Sequence, residues 1–377
     1  MNIAIDAYNI KEGGGVTHLC NLIQQSDQKY FSTVYVFCNL KIRNNLKKIA
    51  RDNVVIIHNP WLDCFFLKKF FWDIFILPRE LRRLKITVFF CLGGLLPFRR
   101  IKNVKQVTMC QNILPFYYRE FRRAGWFLTI RRFLLQKMLI RSFCASDGLI
   151  FLSFASRDLV QKFLHRVPMN EVIYHGIALN AFQKKKDPYR LDEKNIALLY
   201  VSTIKGYKNH SSVITALSIL RQRGYENIHV QFVGAQRKAV MQQLFKQIET
   251  LQLKDQVYFI SEVSYTEITQ LYSKASLFVF ASSCESFGFP LLEAMATGLP
   301  IACSNIEPFP EIVKNAAIYF DPKVPASIAD AIEALIEDKN FRSQLIDKAL
   351  ALSENFSWKE SAYKTFAFLK KVADDAS

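Results

Sequence analysis

Two glutamates eight positions apart, Glu285 and Glu293, stand in the run Cys284-Glu285-Ser286-Phe287-Gly288-Phe289-Pro290-Leu291-Leu292-Glu293-Ala294-Met295-Ala296-Thr297-Gly298-Leu299-Pro300. An ionised carboxylate accepts two hydrogen bonds in a fork, which suits the vicinal hydroxyls of a ribose or hexose. Gly288 and Pro290, with Phe289 between them, fit a helix start whose first backbone amides stay free. Glu285 is then expected in the loop and Glu293 near the first turn, both facing one ligand. A second glycine-rich opening, Lys11-Glu12-Gly13-Gly14-Gly15-Val16-Thr17-His18, follows the first apolar run. There Gly14 and Gly15 let a phosphate or sugar approach the backbone, although a plain tight turn uses the same residues. His18, expected in the first turn of that helix, either reaches an acceptor or is solvated. No Asp-x-Asp pair closes a strand, so neither a metal nor a cofactor is expected.

Short β-branched runs alternate with longer helical patterns through the 377 residues, as in βαβ units that feed parallel sheets. One series of strands is expected at 2–6, 33–38, 53–57, 86–91, 104–109, 148–152 and 171–174, and a second at 196–201, 228–233, 256–260, 277–280, 300–303 and 317–320. Helical patterns at 326–337, 341–353 and 358–372 close the chain. The polar stretch Gln183-Lys184-Lys185-Lys186-Asp187-Pro188-Tyr189-Arg190 reads as the linker, giving domains over 1–183 and 195–356. The expected fold is α/β: two doubly wound domains facing each other across a cleft, with ligands at the carboxyl ends of the strands.

The run from Cys284 to Pro300 resembles glycosyltransferase family 4, retaining, nucleotide-sugar-dependent transferases of the GT-B fold. The family's E-x7-E motif corresponds to Glu285 and Glu293. The resemblance continues in order through Val172-Ile173-Tyr174-His175-Gly176-Ile177, Val201-Ser202-Thr203-Ile204 to Lys208-Asn209-His210, Phe232-Val233-Gly234, Pro310-Glu311 and Phe356-Ser357-Trp358. It implies two Rossmann-like domains, an acceptor-binding first and a donor-binding second, with the last helix, 357–377, crossing back onto the first. It also implies that Glu293 binds the nucleotide ribose, that Glu285 faces the transferred sugar, and that Lys208 neutralises the diphosphate. Ser202, Thr203, Gly288, Phe289, Gly14 and Gly15 join the donor site. Two departures stand out. Ser202-Thr203 replaces the Gly-Arg of many relatives, with Lys205 either substituting for the lost cation or lying exposed. Gln111-Asn112 replaces a His-Asp pair and is expected to contact sugar through its amides.

The function so implied is transfer of a sugar from a nucleotide donor to a carbohydrate acceptor, lipid-linked, in bacterial surface polysaccharide or lipopolysaccharide assembly, with no metal. Two alternatives keep the fold: a catalytically inactive partner of another transferase, and a nucleotide-sugar epimerase.

Lys and Arg number 50 against 33 Asp and Glu, a formal charge of +17, and the surplus attracts polyanions. Many of these cations lie between 68 and 141, interleaved with Trp61, Phe65, Phe66, Phe70, Phe71, Trp72, Phe116, Tyr117, Tyr118, Phe121, Trp126, Phe127 and Phe133. Cations beside aromatics suit an anionic membrane surface, each surface cation contributing about 1 kcal/mol; the competing reading fills the core with the aromatics. The apolar residues on all sides of the 126–143 pattern imply that much of it is buried. No nucleic-acid motif accompanies the charge, so no nucleic-acid partner is expected. The apolar stretch 86–98 falls short of the ~20 residues a spanning helix needs, and Met1–Asp6 lacks the character of a signal peptide. A cytoplasmic protein, peripheral on the cytoplasmic face of the inner membrane, is the expectation. The eight cysteines form no C-x-x-C pair, and isolated thiols are expected.

Overall fold

The computed structural model describes the chain except residues 11–12, 27–29, 61–65, 118–125, 183–186, 190, 262 and 376–377, and the side chains of 66, 67 and 265. Of the residues singled out above, Lys11, Glu12, Trp61, Phe65, Tyr118, Phe121, Gln183 to Lys186 and Arg190 lie outside the described residues, as does the Phe66 side chain.

The chain falls into two compact units, Met1–Gly176 with Ser357–Ser377, and Ile177–Phe356. In the first unit the strands are β1 (Asn2–Asp6), β2 (Thr33–Cys38), β3 (Val54–His58), β4 (Ile86–Cys91), β5 (Lys105–Cys110), β6 (Gly148–Phe151) and β7 (Met169–Val172). They form one parallel sheet in the order β3-β2-β1-β4-β5-β6-β7. The second unit contains β8 (Ile196–Val201), β9 (Ile228–Val233), β10 (Val257–Ile260), β11 (Leu277–Phe280), β12 (Ile301–Ser304) and β13 (Ile318–Phe320), parallel in the order β10-β9-β8-β11-β12-β13. Each unit is a doubly wound Rossmann-like domain. Covered on both faces by helices, its central strands are almost wholly apolar, as in Ile-Thr-Val-Phe-Phe-Cys of β4 and Leu-Phe-Val-Phe of β11.

The division after Gly176 replaces the boundary expected within 183–195. Residues beyond Gly176 are tied into the second unit: the Ile177 N–H donates to the Phe356 carbonyl at 3.0 Å, and Phe182 packs edge-on against Tyr272. The final helix, Trp358–Asp374, belongs to the first unit. It packs on the helix Gly14–Gln24 and on β4 and β5, with Phe366 against Phe31 and Phe368 against Gly148. Gly176 meets its start so closely that a Cβ would lie 2.1 Å from the Trp358 nitrogen.

The basic aromatic segment divides between core and surface. Trp72 and Phe116 are buried. The helix Trp126–Ala145, expected to be largely buried, buries only Gln136, Leu139, Ser142, Phe143 and Cys144, all in its carboxyl-terminal half. Trp126 is 77% exposed, Phe127 66% and Leu134 55%, because no described element covers the amino-terminal half. No helix among the described residues is long and apolar enough to cross a membrane. The described cysteines form no disulfide.

Candidate functional site

In a doubly wound sheet the loops diverge where the strand order reverses, which opens a crevice at the carboxyl ends of the two strands concerned. In the second unit these strands are β8 and β11. The segments that follow them, 202–209 and 281–288, carry Ser202, Thr203, Lys208, Glu285 and Gly288.

Asn209 joins the two segments. Its backbone is left-handed (φ 51°), a conformation asparagine tolerates better than most residues. Its side-chain amide donates to the Ala281 carbonyl at 2.7 Å and to Ser283 Oγ at 2.6 Å, and the Ser283 N–H donates to the Tyr207 carbonyl at 2.8 Å. The buried Tyr200 hydroxyl donates to the Lys208 carbonyl. Backbone thus fixed, the Lys208 ammonium forms an ion pair with Glu285 and lies 5.4 Å from the ring centres of Tyr207 and Phe280. Both partners are largely shielded from solvent, so their attraction is screened far less than that of a surface pair.

Gly288 caps the helix Phe289–Thr297 with φ 107°, a conformation that favours glycine, and Phe309 and Leu291 leave a Cβ only 3.2–3.3 Å of room. Phe287 is buried beside Phe289, their ring centres 5.8 Å apart. Glu293 is the fifth residue of this helix, just past its first turn. Its Oε2 accepts a 2.7 Å hydrogen bond from Tyr272 of the helix Tyr265–Lys274. Burial pushes its carboxyl up to about 7, a rise the Tyr272 hydrogen bond opposes. The sequence-predicted residues therefore separate into a Lys208–Glu285 pair and a Glu293 held by Tyr272. Ser202 Oγ lies 3.2 Å from His210 Nε2, and Thr203 follows it at the end of β8.

In the first unit the order reverses between β1 and β4. Gly13, at φ 70°, precedes the helix Gly14–Gln24, and a Cβ on Gly15 would meet Ile10 at 3.3 Å and the Gln111 side-chain oxygen at 3.5 Å. Gly14, Gly15 and Gln111 are thus neighbours. Asn112 Oδ1 instead accepts from the Leu114 N–H at 3.1 Å, a local turn bond that leaves its amide nitrogen for other acceptors. His18 lies in the second turn of that helix and is buried, neither solvated nor at the surface. It packs between His175 at 4.6 Å and Trp358 at 6.0 Å, and burial pushes its imidazole down to about 4.

Sequence reasoning missed three groups. Asn209 follows Lys208 directly, and its turn-forming residue type was the available signal. Tyr272 lies 21 residues before Glu293, and nothing in the spacing links them. The third lies at the end of β1, where Asp6 is 3.4 Å from Lys69, which also pairs with Asp73. Burial raises the Asp73 carboxyl to about 6 against the pull of Lys69. Among the described residues no group of three or more His, Cys, Asp or Glu is disposed to hold a metal ion.

Residues 181–351 match the family model for glycosyl transferases group 1. The chain is 31% identical over 231 residues to the O-antigen chain mannosyltransferase RfbU of Salmonella typhimurium, covering 60% of each chain. It is 26% identical over 244 residues to the O-antigen chain mannosyltransferase B of Escherichia coli, covering 61% of this chain and 62% of that one. The matches thus span about three fifths of these relatives. Among solved structures, Anabaena Alr3699/HepE in complex with UDP and glucose superposes with a TM-score of 0.75 over 98% of this chain and 100% of that one, at 18% identity. WaaG, a glycosyltransferase involved in lipopolysaccharide biosynthesis, does so with 0.74 over 97% and 99%, at 14% identity. The fold is GT-B.

Proposed function

We propose, on the premise that this chain belongs through its second domain to the glycosyl transferases group 1 family, that the protein is a retaining hexosyltransferase of the family 4 type. It moves a sugar from a nucleoside-diphosphate donor to a saccharide acceptor in O-antigen or other lipopolysaccharide assembly. The observation that carries the reading is the shielded Lys208–Glu285 pair where β8 and β11 diverge. In the reaction the bond from the anomeric carbon to the diphosphate breaks and its electron pair leaves with the diphosphate. The acceptor oxygen bonds to the same carbon, and its proton passes to an oxygen of the departing diphosphate. Negative charge grows on the leaving group, and a cation already in position stabilises it without reorganisation. Lys208 is that cation; until donor binds, Glu285 keeps it neutralised and oriented. When the diphosphate takes over the ammonium, the Glu285 carboxylate is freed towards the sugar, whose carbon turns cationic. Glu293 takes the ribose hydroxyls. In the first domain Gln111 and the glycine loop supply contacts to sugar.

The names of the two mannosyltransferase relatives make mannose the first donor sugar to try. Purified protein incubated with GDP-mannose and UDP-hexoses, with and without a lipid-linked saccharide, tests the reading through release of nucleoside diphosphate. Release that needs the acceptor supports transfer. Conversion of the donor without acceptor marks an epimerase, and no consumption of any donor marks an inactive binding partner.

A lipid-linked acceptor agrees with a second feature. The helix Trp126–Ala145 exposes Phe127, Ile130, Leu134 and Met138 at helical spacing beside Arg131, Lys137 and Arg141, and it contains no acidic residue. Arg141 lies 3.9 Å over the exposed Phe98 ring, which packs on Phe70. An apolar stripe edged by cations fits the headgroup region of an anionic bilayer. Attachment there would keep the protein on the cytoplasmic face, beside its acceptor.

A further inference from the structure

His210 opens the helix His210–Gln222, two residues beyond Lys208, and is 2% exposed. Its ring lies flat on Tyr200, 4.7 Å away with 8° between the planes, and edge-on to Phe232 at 5.0 Å. Nε2 is 3.2 Å from Ser202 Oγ, while the buried Nδ1 has no hydrogen-bond partner. Burial, followed by the nearby Lys208 ammonium, pushes the imidazole down to about 3. The neutral ring carries a single proton. Free backbone N–H groups in the first helical turn and the Lys208 charge make the surroundings positive, which favours a bare lone pair on the unpartnered Nδ1. The proton therefore sits on Nε2 and is donated to Ser202 Oγ.

The Ser202 hydroxyl must then send its own proton elsewhere. Its acceptors within the protein are the Thr203 carbonyl, a long contact at 3.4 Å, and the Tyr200 hydroxyl, which hydrogen-bonds with Ser202 while donating its own proton to the Lys208 carbonyl. A phosphate oxygen is a stronger acceptor than either. The serine itself is held by its N–H bond to the Val233 carbonyl at 2.8 Å and by Gly234, where a Cβ would come within 2.3 Å of the Ser202 carbonyl oxygen.

We infer that His210 is a positioning residue that commits the Ser202 hydroxyl to donate to the diphosphate of the sugar donor. The pair supplies a directed hydrogen bond at a loop where Thr203 stands in place of a cation. The inference rests on the donor-site reading above, and it adds a residue in which the side chain acts only through another.

Calorimetric titration of the full chain with UDP and GDP tests it. The wild type is expected to bind at least one of them. Ser202→Ala and His210→Phe, which keeps the ring stack but removes the N–H, each weaken that binding roughly tenfold, and the double variant is no weaker than either. His210→Gln, which returns an N–H at similar reach, recovers most of the loss. Binding of the bare nucleoside, uridine or guanosine, stays unchanged in all of them, a result that a general distortion of the loop would not give. Should His210→Phe fail to fold, His210→Met against His210→Gln repeats the comparison. Wild-type affinity in the variant lacking the N–H, or losses that multiply to about a hundredfold in the double variant, overturn the inference while leaving the donor site standing. A folded wild type that binds neither diphosphate overturns both.

Discussion

Tyr272 donates its hydroxyl to Glu293 Oε2 at 2.7 Å, so a carboxyl that burial would keep protonated is held near the balance point between its two forms. Because the folded value, about 7, lies above the ordinary 4.5, the native state binds the extra proton between those limits. Stability therefore falls as pH rises from about 4.5 to about 7 and levels off above it. The Glu293→Gln variant should lose that part of the slope, as read by urea unfolding between pH 4.5 and 8. An unchanged slope would show that Glu293 does not titrate in this window.

The ionised form is also the one that accepts hydroxyl donors. Nucleotide binding should tighten from pH 6 to pH 8, and Tyr272→Phe, which removes a hydrogen bond favouring the carboxylate, should displace the profile to higher pH. Calorimetry at four pH values measures it. Coincident profiles for the two proteins would speak against a titrating Glu293.

Gly176 should tolerate no side chain. Gly176→Ala puts a Cβ into the Trp358 backbone, where nothing can yield without moving the start of the final helix, and a loss of about 2–3 kcal/mol is expected. Thermal unfolding checks this, and a midpoint within a degree of wild type would contradict it.

The exposed stripe makes a prediction about lipid. Vesicles containing phosphatidylglycerol should sediment the protein, neutral phosphatidylcholine vesicles should not, and Phe127→Ser with Leu134→Ser should abolish the difference while leaving unfolding behaviour unchanged. Sedimentation indifferent to lipid charge would dismiss the bilayer as partner. A concentration-dependent dimer lost in the same double variant would assign the stripe to a second copy of the chain.

The sheets were legible because a parallel strand buried on both faces must be apolar throughout: Ile196–Val201 and Leu277–Phe280 stand out between polar turns, and both occur where expected. The loop after β11 was legible because Gly288 and Pro290 suit a helix start, whereas Lys208 in the loop after β8 was singled out only by the resemblance to family 4. Spacing did not reveal contacts between distant segments. His18 was expected either to reach an acceptor or to be solvated, and its burial was hidden because the helix that covers it begins 340 residues later, at Trp358. Tyr272 is one of several tyrosines on helical patterns until the fold brings it to Glu293. The unit boundary was expected too late in the sequence because charge marks exposure: Asp187 and Tyr189 of the polar stretch are exposed, yet they lie within the second unit.

Charge at the end of β8 is the centre of the account, and Lys208→Met removes it while retaining length and packing against Tyr207 and Phe280. Measured as acceptor-dependent nucleoside diphosphate release, with folding confirmed by an unchanged circular dichroism spectrum, this variant should turn over about 10²–10³-fold more slowly than wild type. Turnover within twofold of wild type would contradict the assignment of the leaving-group charge to Lys208.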